Sequence, residues 1–462
     1  MFIIDEEVLK KCSRAYRIPI TQLRERTEKL IRNNPWLVFQ DAVEQVVESF
    51  EEERKERVKV NVKERRSIPD ISTYLDSLSK LLEDFCSGTD PSSIASLFDA
   101  DWDGMGSQTV LNKFLNITSQ SIPSHFITYH KLEPALEFIR NKKPRKVILL
   151  DYEPHNEIEE ILQNVEEVLI FGKHVRPDMR KLSQRDRRIK YINTRDYDVG
   201  DRPITFLMWN IVGHLADQYL EYIGGRKRFY QSVAIPAILG NYGYGWAPLA
   251  KYIAKMSDVP YVSKKLKRIT GKLMRLVAFN HNNAKKIVDA LTIADSFEHE
   301  LIKRLMKLYR AQSIDRKYEE SLTYAIENYR VIGDVVVFPI TGWETTKPFT
   351  FKLRLIAKEL QKNLAIIIDC NDPVIRKMSI RTAYFDDTRI DISELLDTAY
   401  SSLPPDIERN YGAHESVGGA VCKKDDLPLV LKQVVATYFK KTGWEEEIAK
   451  YDSIFEEFWN KA

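Results

Sequence analysis

The chain has 462 residues, 44% hydrophobic and 30% charged, enough for two to four domains with real cores. Lys and Arg total 70 against 67 Asp and Glu, a formal charge of +3. That balance excludes a general polyelectrolyte attraction to nucleic acid and leaves only local basic patches for such binding.

Residues 1 to about 60 read as charged helices, with apolar positions at helical spacing from Asp41 to Arg54. Met1-Phe-Ile-Ile is followed at once by Asp5 and Glu6, which reads against a signal peptide. Lys55 to Arg66 is dense in charge and reads as an exposed linker or solvated helix. Ser72 to Phe85 predicts an amphipathic helix. From residue 91 the pattern alternates. Strands are expected at Ile94–Phe98, from Ser124 to Tyr129, at Lys146–Asp151 and from Glu167 to Phe171. Helices are expected at Gln108–Phe114, Glu133–Arg140 and Glu157–Asn164. This rhythm predicts a parallel sheet with ligands beyond the carboxyl ends of its strands, where Asp99, Asp151 and His174 fall. Residues 205–330 read as helical. A long helix from Phe206 to Tyr222 is broken by Gly224-Gly225, and a short glycine-rich stretch runs from Ala234 to Gly245. A second β-rich unit starts near Ile332, includes Ala365-Ile-Ile-Ile-Asp369, and ends in a glycine-rich segment, 412–419, and closing helices.

The fold class is therefore α/β and two-lobed, with a parallel-sheet domain and a smaller α/β domain. The expected boundaries are an N-terminal helical extension over 1–90, the sheet domain over 91–260, a helical connector over 261–330 and the second domain over 331–462. Cys12, Cys86, Cys370 and Cys422 show neither zinc nor redox spacing, which fits a reducing cytosol. No run approaches the ~18 apolar residues of a membrane span. The expectation is a cytoplasmic, nucleoid-associated protein with no membrane partner.

Asp99, Asp101 and Asp103 alternate along what reads as an extended approach, which would place the three carboxylates on one face. Converged carboxylates repel unless cations neutralise them, and hard divalent ions suit oxygen ligands. An EF-hand loop would need Glu at its twelfth position, where Val110 stands. Gly104 is expected to supply the sharp turn after the aspartates. Trp102 is expected to pack rather than stack on a ligand. Two basic stretches, Arg176 to Lys190 and Lys264 to Arg275, read either as solvated faces or as strand-tracking patches. The remaining histidines (His125, His130, His155, His214, His281 and His299) show no ligand spacing.

Phe98-Asp-Ala-Asp-Trp-Asp-Gly-Met-Gly-Ser107 resembles the first motif of the DHH phosphoesterase superfamily in its RecJ-like form. Val147-Ile-Leu-Leu-Asp151 resembles the second, whose aspartate bridges two metals. Gly412-Ala-His-Glu-Ser-Val-Gly-Gly419 resembles the signature of the associated DHHA1 domain, and 378–381 and 390–396 fit the segments that precede it. The resemblance spans roughly 91–250 and 330–425. It implies Mn²⁺ or Mg²⁺ as cofactor and Asp99, Asp101, Asp103 and Asp151 as metal ligands. It further implies a phosphate contact at His174 and a nucleic-acid phosphate site at Ser379, Arg381, Gly412, His414, Gly418 and Gly419, formed as an anion-binding loop with Arg409 nearby.

The chain departs from that family in two places. The Asp-His-His motif is replaced by Gly172-Lys173-His174, and the fourth-motif aspartate is absent where Tyr244 or Gly245 falls. One metal keeps its carboxylates, the second loses a histidine and an aspartate, and Lys173 stands where a metal-binding imidazole would be. A clamp of two metals on attacking and leaving oxygens is then halved. The expected function is a catalytically degenerate RecJ-like scaffold in replication or repair that binds single-stranded DNA or RNA. The resemblance extends to the archaeal RecJ-like proteins that bind GINS, and to the degenerate helicase subunit that joins MCM and GINS. The alternatives are an active metal-dependent single-strand 5′→3′ exonuclease, an inactive subunit paired with a second RecJ-like protein, and a small-nucleotide phosphodiesterase.

Overall fold

The computed structural model describes residues 6–9, 20–34, 37–50, 68–87, 89–118, 120–128, 132–154, 157–174, 177–197, 199–200, 202–220, 223–383, 390–407, 410–414, 417–442 and 450–460, with 12, 52 and 448. The segment 55–66, Arg176, Arg409, His130 and His155 lie outside the described residues. The chain divides into two compact units, one of residues 65–316 and one of residues 1–64 with 317–462.

The first unit is built on five parallel strands: β1 (Ile94–Asp99), β2 (Ser124–Ile127), β3 (Lys146–Leu150), β4 (Glu167–Gly172) and β5 (Ile189–Asn193). Their order is β2-β1-β3-β4-β5. β1 is buried along its whole length, and β3 and β4 are apolar and buried beyond their first residue. Near-continuous apolar strands are what a parallel sheet covered on both faces requires. β5 begins inside the basic run, which the sequence reading left without a strand; its Ile189 and Ile192 are buried and its Lys190 and Tyr191 half-buried.

The chain leaves β1 to one side, for β2, and then crosses to the other, for β3. Such a reversal opens a crevice at the carboxyl ends of the two strands. Phe98 pairs with Leu150 across it, so Asp99 and Asp151 emerge side by side. β4 is in register next to β3, with Leu150 opposite Phe171, and it delivers Lys173 and His174 to the same edge.

Helices fill the rest of this unit. α1 (Trp102–Ile117) follows β1 directly. α2 (Ile204–Tyr219) and α3 (Ile223–Gly243) pack on it. α2 ends at Tyr219 and α3 starts at Ile223, with Gly224 and Gly225 in its first turn. The glycine-rich stretch from Ala234 is thus the second half of a 21-residue helix that also contains Pro236. α4 (Ser263–Phe279) buries Leu266, Ile269, Leu273 and Leu276 on one face. Trp102 is 2% exposed and donates its indole N–H to Thr270 O of that helix at 3.1 Å, a packing role.

The second unit holds a six-stranded sheet in the order β10-β11-β9-β8-β7-β6. Its strands are β6 (Arg330–Ile332), β7 (Val335–Ile340), β8 (Leu364–Asp369), β9 (Ile375–Thr382), β10 (Asn410–His414) and β11 (Val417–Lys423). Only β7 and β8 run parallel. One face packs on α5 (Ile392–Ser401) and α6 (Leu427–Thr442), whose Leu395, Leu396, Val430 and Val434 are fully buried. A separate small core joins Leu9, Leu23, Val43, Val46 and Val47 near the N-terminus. Among the described residues, no helix is long and apolar enough to cross a membrane.

Candidate metal centre

Asp99 closes β1, and Asp101 is the N-cap of α1. Its Oδ1 accepts the Asp103 and Gly104 N–H groups at 2.9 and 3.0 Å. Asp103 lies in the first helical turn. The aspartates therefore converge at a strand-to-helix junction, which corrects the expectation of alternation along an extended segment. A capping aspartate is the ordinary way to start a helix, and that local rule overrides continued strand. Gly104 is needed for a different reason than a turn: a Cβ there would come 2.3 Å from Asp99 O and 2.7 Å from Asp99 N.

Among the described residues, Asp99, Asp101 and Asp151 form a group whose carboxylate oxygens all lie within 4.8 Å of one another. Three hard oxygen donors at that spacing fit one divalent cation of the Mg²⁺ or Mn²⁺ type. Asp151 follows β3 with φ +58, a left-handed backbone held by its N–H bond to Phe171 O at 3.0 Å. Burial pushes its carboxyl up; Lys173 pulls it down, and Asp103, Asp101 and Asp99 push it further up.

Asp103 is not in that group, and its oxygens are occupied. Oδ1 accepts the Thr205 N–H and hydroxyl, both at 2.8 Å. Oδ2 accepts the Ile204 N–H at 3.0 Å and the Lys173 ammonium at 2.6 Å. The start of α2 thus caps this carboxylate from behind, where the helix dipole favours negative charge. Sequence reading missed Ile204 and Thr205, because a backbone donor 101 or 102 residues away leaves no local signal.

Lys173 is 1% exposed. Its Nζ also lies 2.7 Å from Asp151 Oδ1 and 2.9 Å from Oδ2, and 3.9 Å from the centre of the Tyr244 ring. Burial alone would strip its proton, but Asp103 and Asp151 outweigh that and hold the ammonium cationic well above its ordinary value. Tyr244 is one of the two residues expected where the family aspartate would fall. Burial pushes its phenol up to about 12, so it is neutral at physiological pH and supplies no anionic ligand.

His174 places Nδ1 2.5 Å from Glu153 Oε2. Glu153 is 1% exposed and also accepts the Tyr191 hydroxyl at 2.7 Å. Glu153, Tyr191 and Asn193 were not flagged by the sequence; Glu153 follows Asp151 by two residues, and that proximity was the available clue.

No protein-family model and no curated protein sequence matches the chain; its likeness is to solved structures. RecJ from Thermus thermophilus in complex with Mn²⁺ is similar at TM-score 0.54 and 14% identity over 80% of this chain. The match covers 59% of that RecJ, so this chain spans less than two thirds of its length. An exonuclease RecJ bound to manganese is similar at TM-score 0.52 and 15% identity, over 83% of this chain and 97% of that one. A DHH domain described as belonging to a family of ribosomal proteins gives TM-score 0.56 and 12% identity, over 85% of this chain and 99% of that one. The fold is that of the RecJ-like DHH proteins.

In this RecJ-like fold, the second sheet carries the other residues singled out in the sequence. Pairing sets Ser379 opposite Gly419 and Gly419 opposite Gly412, one row across β9, β11 and β10. Arg381, Val417 and His414 form the next row on that face. Residues 412–414 and 417–419 thus lie in the paired strands β10 and β11, with β10 at the edge of the sheet. The surroundings of Gly412 and of the His414 side chain lie outside what the structure describes. Gly418 faces α5, where a Cβ would come 2.6 Å from Ile392 and 2.8 Å from Leu396, so close packing requires glycine there. Gly419 faces the other way, and among the described residues nothing comes nearer to its Cβ position than Met378 O at 3.7 Å.

The basic stretches are partly neutralised. Arg180 pairs with Asp196, Arg188 with Asp186 at 2.6 Å and Lys190 with Glu167 at 3.5 Å. Lys265 pairs with Glu298, and Lys272 and Arg275 reach Asp315 at 3.5 and 2.9 Å.

Proposed function

We propose that this chain is a catalytically weakened RecJ-like protein. It holds one divalent cation at Asp99, Asp101 and Asp151, binds single-stranded nucleic acid and serves as a scaffold in replication or repair. The observation that carries this reading is the buried Lys173 ammonium between Asp103 and Asp151. A fixed cation there takes the place and the charge of a second metal, while the four donors on Asp103 leave that carboxylate committed. An ion held by the remaining three aspartates would polarise a phosphoryl oxygen. An ammonium neutralises charge but supplies no second metal-bound oxygen to attack or leave. The phosphate-binding role falls to His174 beside the aspartates and, in the second unit, to Ser379, Arg381, Gly412, His414 and Gly419.

GINS and MCM, or a second RecJ-like protein, are the partners this reading favours, on the strength of the sequence resemblance. Co-purification of the tagged full chain with each candidate distinguishes them.

The intact Asp99–Asp101–Asp151 group supports a second reading, a single-strand 5′→3′ exonuclease working with one ion. Mn²⁺ titration by calorimetry and a Mn²⁺-dependent exonuclease assay, with Asp101→Asn and Asp151→Asn as controls, decide between them. One bound ion, with turnover no higher than in the two variants, is expected. Robust turnover lost in both variants would establish the hydrolase, and two bound ions would overturn Lys173 as the stand-in for a second metal.

A further inference from the structure

Glu153 is a buried carboxylate that the metal group does not use, and among the described residues every group that hydrogen-bonds to it can donate. The Tyr191 hydroxyl meets Oε1 at 2.7 Å and the Asn193 amide meets it at 3.4 Å. The His174 backbone N–H spans Oε1 and Oε2 at 3.2 and 3.1 Å. The His174 ring completes the set, with Nδ1 2.5 Å from Oε2. Asn193 ties the cluster further by donating to His174 O and to the Tyr191 hydroxyl, both at 2.6 Å. A carboxylate surrounded by donors accepts from each of them. The ring proton therefore sits on Nδ1, and the other lone pair, or in the imidazolium the second N–H, belongs to Nε2.

The adjoining sequence makes room for this contact. A Cβ on Gly172 would fall 1.8 Å from Glu153 Oε1 and 2.3 Å from its Cδ. The glycine before Lys173 and His174 is thus the only residue type that lets the carboxylate lie across the end of β4. Glu153 cannot swing aside at low cost, since its side chain is buried and its oxygens are held by Tyr191, Asn193 and His174.

We propose that Glu153 is a positioning residue for His174, fixing the ring's tautomer and tilt so that Nε2 is the nitrogen that meets a phosphoryl oxygen bound beside the aspartates. The phosphoryl half rests on the function proposed above; the positioning half stands on the Glu153–His174 geometry alone.

Long-range ¹H–¹⁵N NMR of the full chain, about two pH units above the ordinary imidazole value, reads the His174 tautomer, with the signal assigned by its loss in His174→Asn. Wild type is expected to carry the proton on Nδ1. Glu153→Gln, and Gly172→Ala, which displaces the carboxylate by a different route, are both expected to move population to the Nε2–H form. Tyr191→Phe removes one donor from Glu153 and is expected to keep the wild-type tautomer. In parallel, thymidine 5′-monophosphate binding in Mn²⁺ is expected to weaken about tenfold in Glu153→Gln, the usual scale for losing a group that orients a site residue. A proton on Nε2 in wild type, or an unchanged tautomer in both Glu153→Gln and Gly172→Ala, overturns the positioning role. A shifted tautomer with unchanged or undetectable nucleotide binding overturns the phosphoryl half and leaves the positioning half standing.

Discussion

Thr205 meets a single oxygen of Asp103 with two donors, its backbone N–H and its hydroxyl, each 2.8 Å from Oδ1. The same hydroxyl lies 2.8 Å from Asp103 O. Thr205→Val keeps the shape and removes the hydroxyl. It is expected to lose about 1–2 kcal/mol in urea denaturation, the cost of unmade buried bonds to a charged group. Asp103→Asn also deprives Lys173 of a partner and is expected to lose about 3–5 kcal/mol. Equal losses in the two variants would show that Lys173 gains nothing from Asp103.

Removing the cation has a matching consequence. Lys173→Met leaves Asp103 and Asp151 buried without it, and breaking such a buried pair costs about 3–5 kcal/mol. Mn²⁺ is expected to raise the melting temperature of this variant more than that of wild type, since the ion can then supply the missing charge. Equal shifts in a thermal melt would count against Lys173 as the stand-in for a metal.

The Glu153 carboxyl sets an acid limb to stability. Burial would raise it, but the His174 and Tyr191 bonds prevail and hold it below its ordinary 4.5. A depressed folded-state value means that the unfolded chain binds the proton more readily. The contribution is therefore complete above about pH 4.5 and is lost as pH falls through the folded value. Glu153→Gln is expected to flatten the urea midpoint against pH on that limb. An unchanged slope would place the acid sensitivity elsewhere.

Two glycine-to-alanine changes separate space from propensity. Gly104→Ala would set a Cβ 2.3 Å from backbone at Asp99 and is expected to cost more than about 3 kcal/mol or to prevent folding. Gly271→Ala, within α4, meets nothing within 4 Å and is expected to stabilise by about 1 kcal/mol. Circular dichroism melts of the two report both signs.

Four strands of the first sheet were legible as short runs rich in apolar residues, β5 was not, and the carboxyl-end rule then placed Asp99, Asp151 and His174 near one edge. The motif order made the RecJ-like fold readable at 12–15% identity. Less was legible where backbone, and not side chain, does the bonding. The capping of Asp103 by Ile204 and Thr205 depends on a helix start far along the chain. Residues 412–414 and 417–419 were read as part of a loop because their glycines suggest turns, whereas pairing with β9 through β11 places them in strands. Gly224-Gly225 was read as a stop, although glycine in a first helical turn is tolerated.

The left-handed backbone at Asp151 bears on what can ever stand there. At φ +58 a branched or bulky side chain is disfavoured by about 1–2 kcal/mol before any chemistry is considered, whereas asparagine and glycine settle readily. An alanine scan at this position therefore mixes a conformational penalty with the loss of a ligand, and asparagine isolates the charge. Drift at this site, should the ion become dispensable, is channelled toward Asn or Gly, so those two residues in a homologue would mark a centre that has ceased to hold metal.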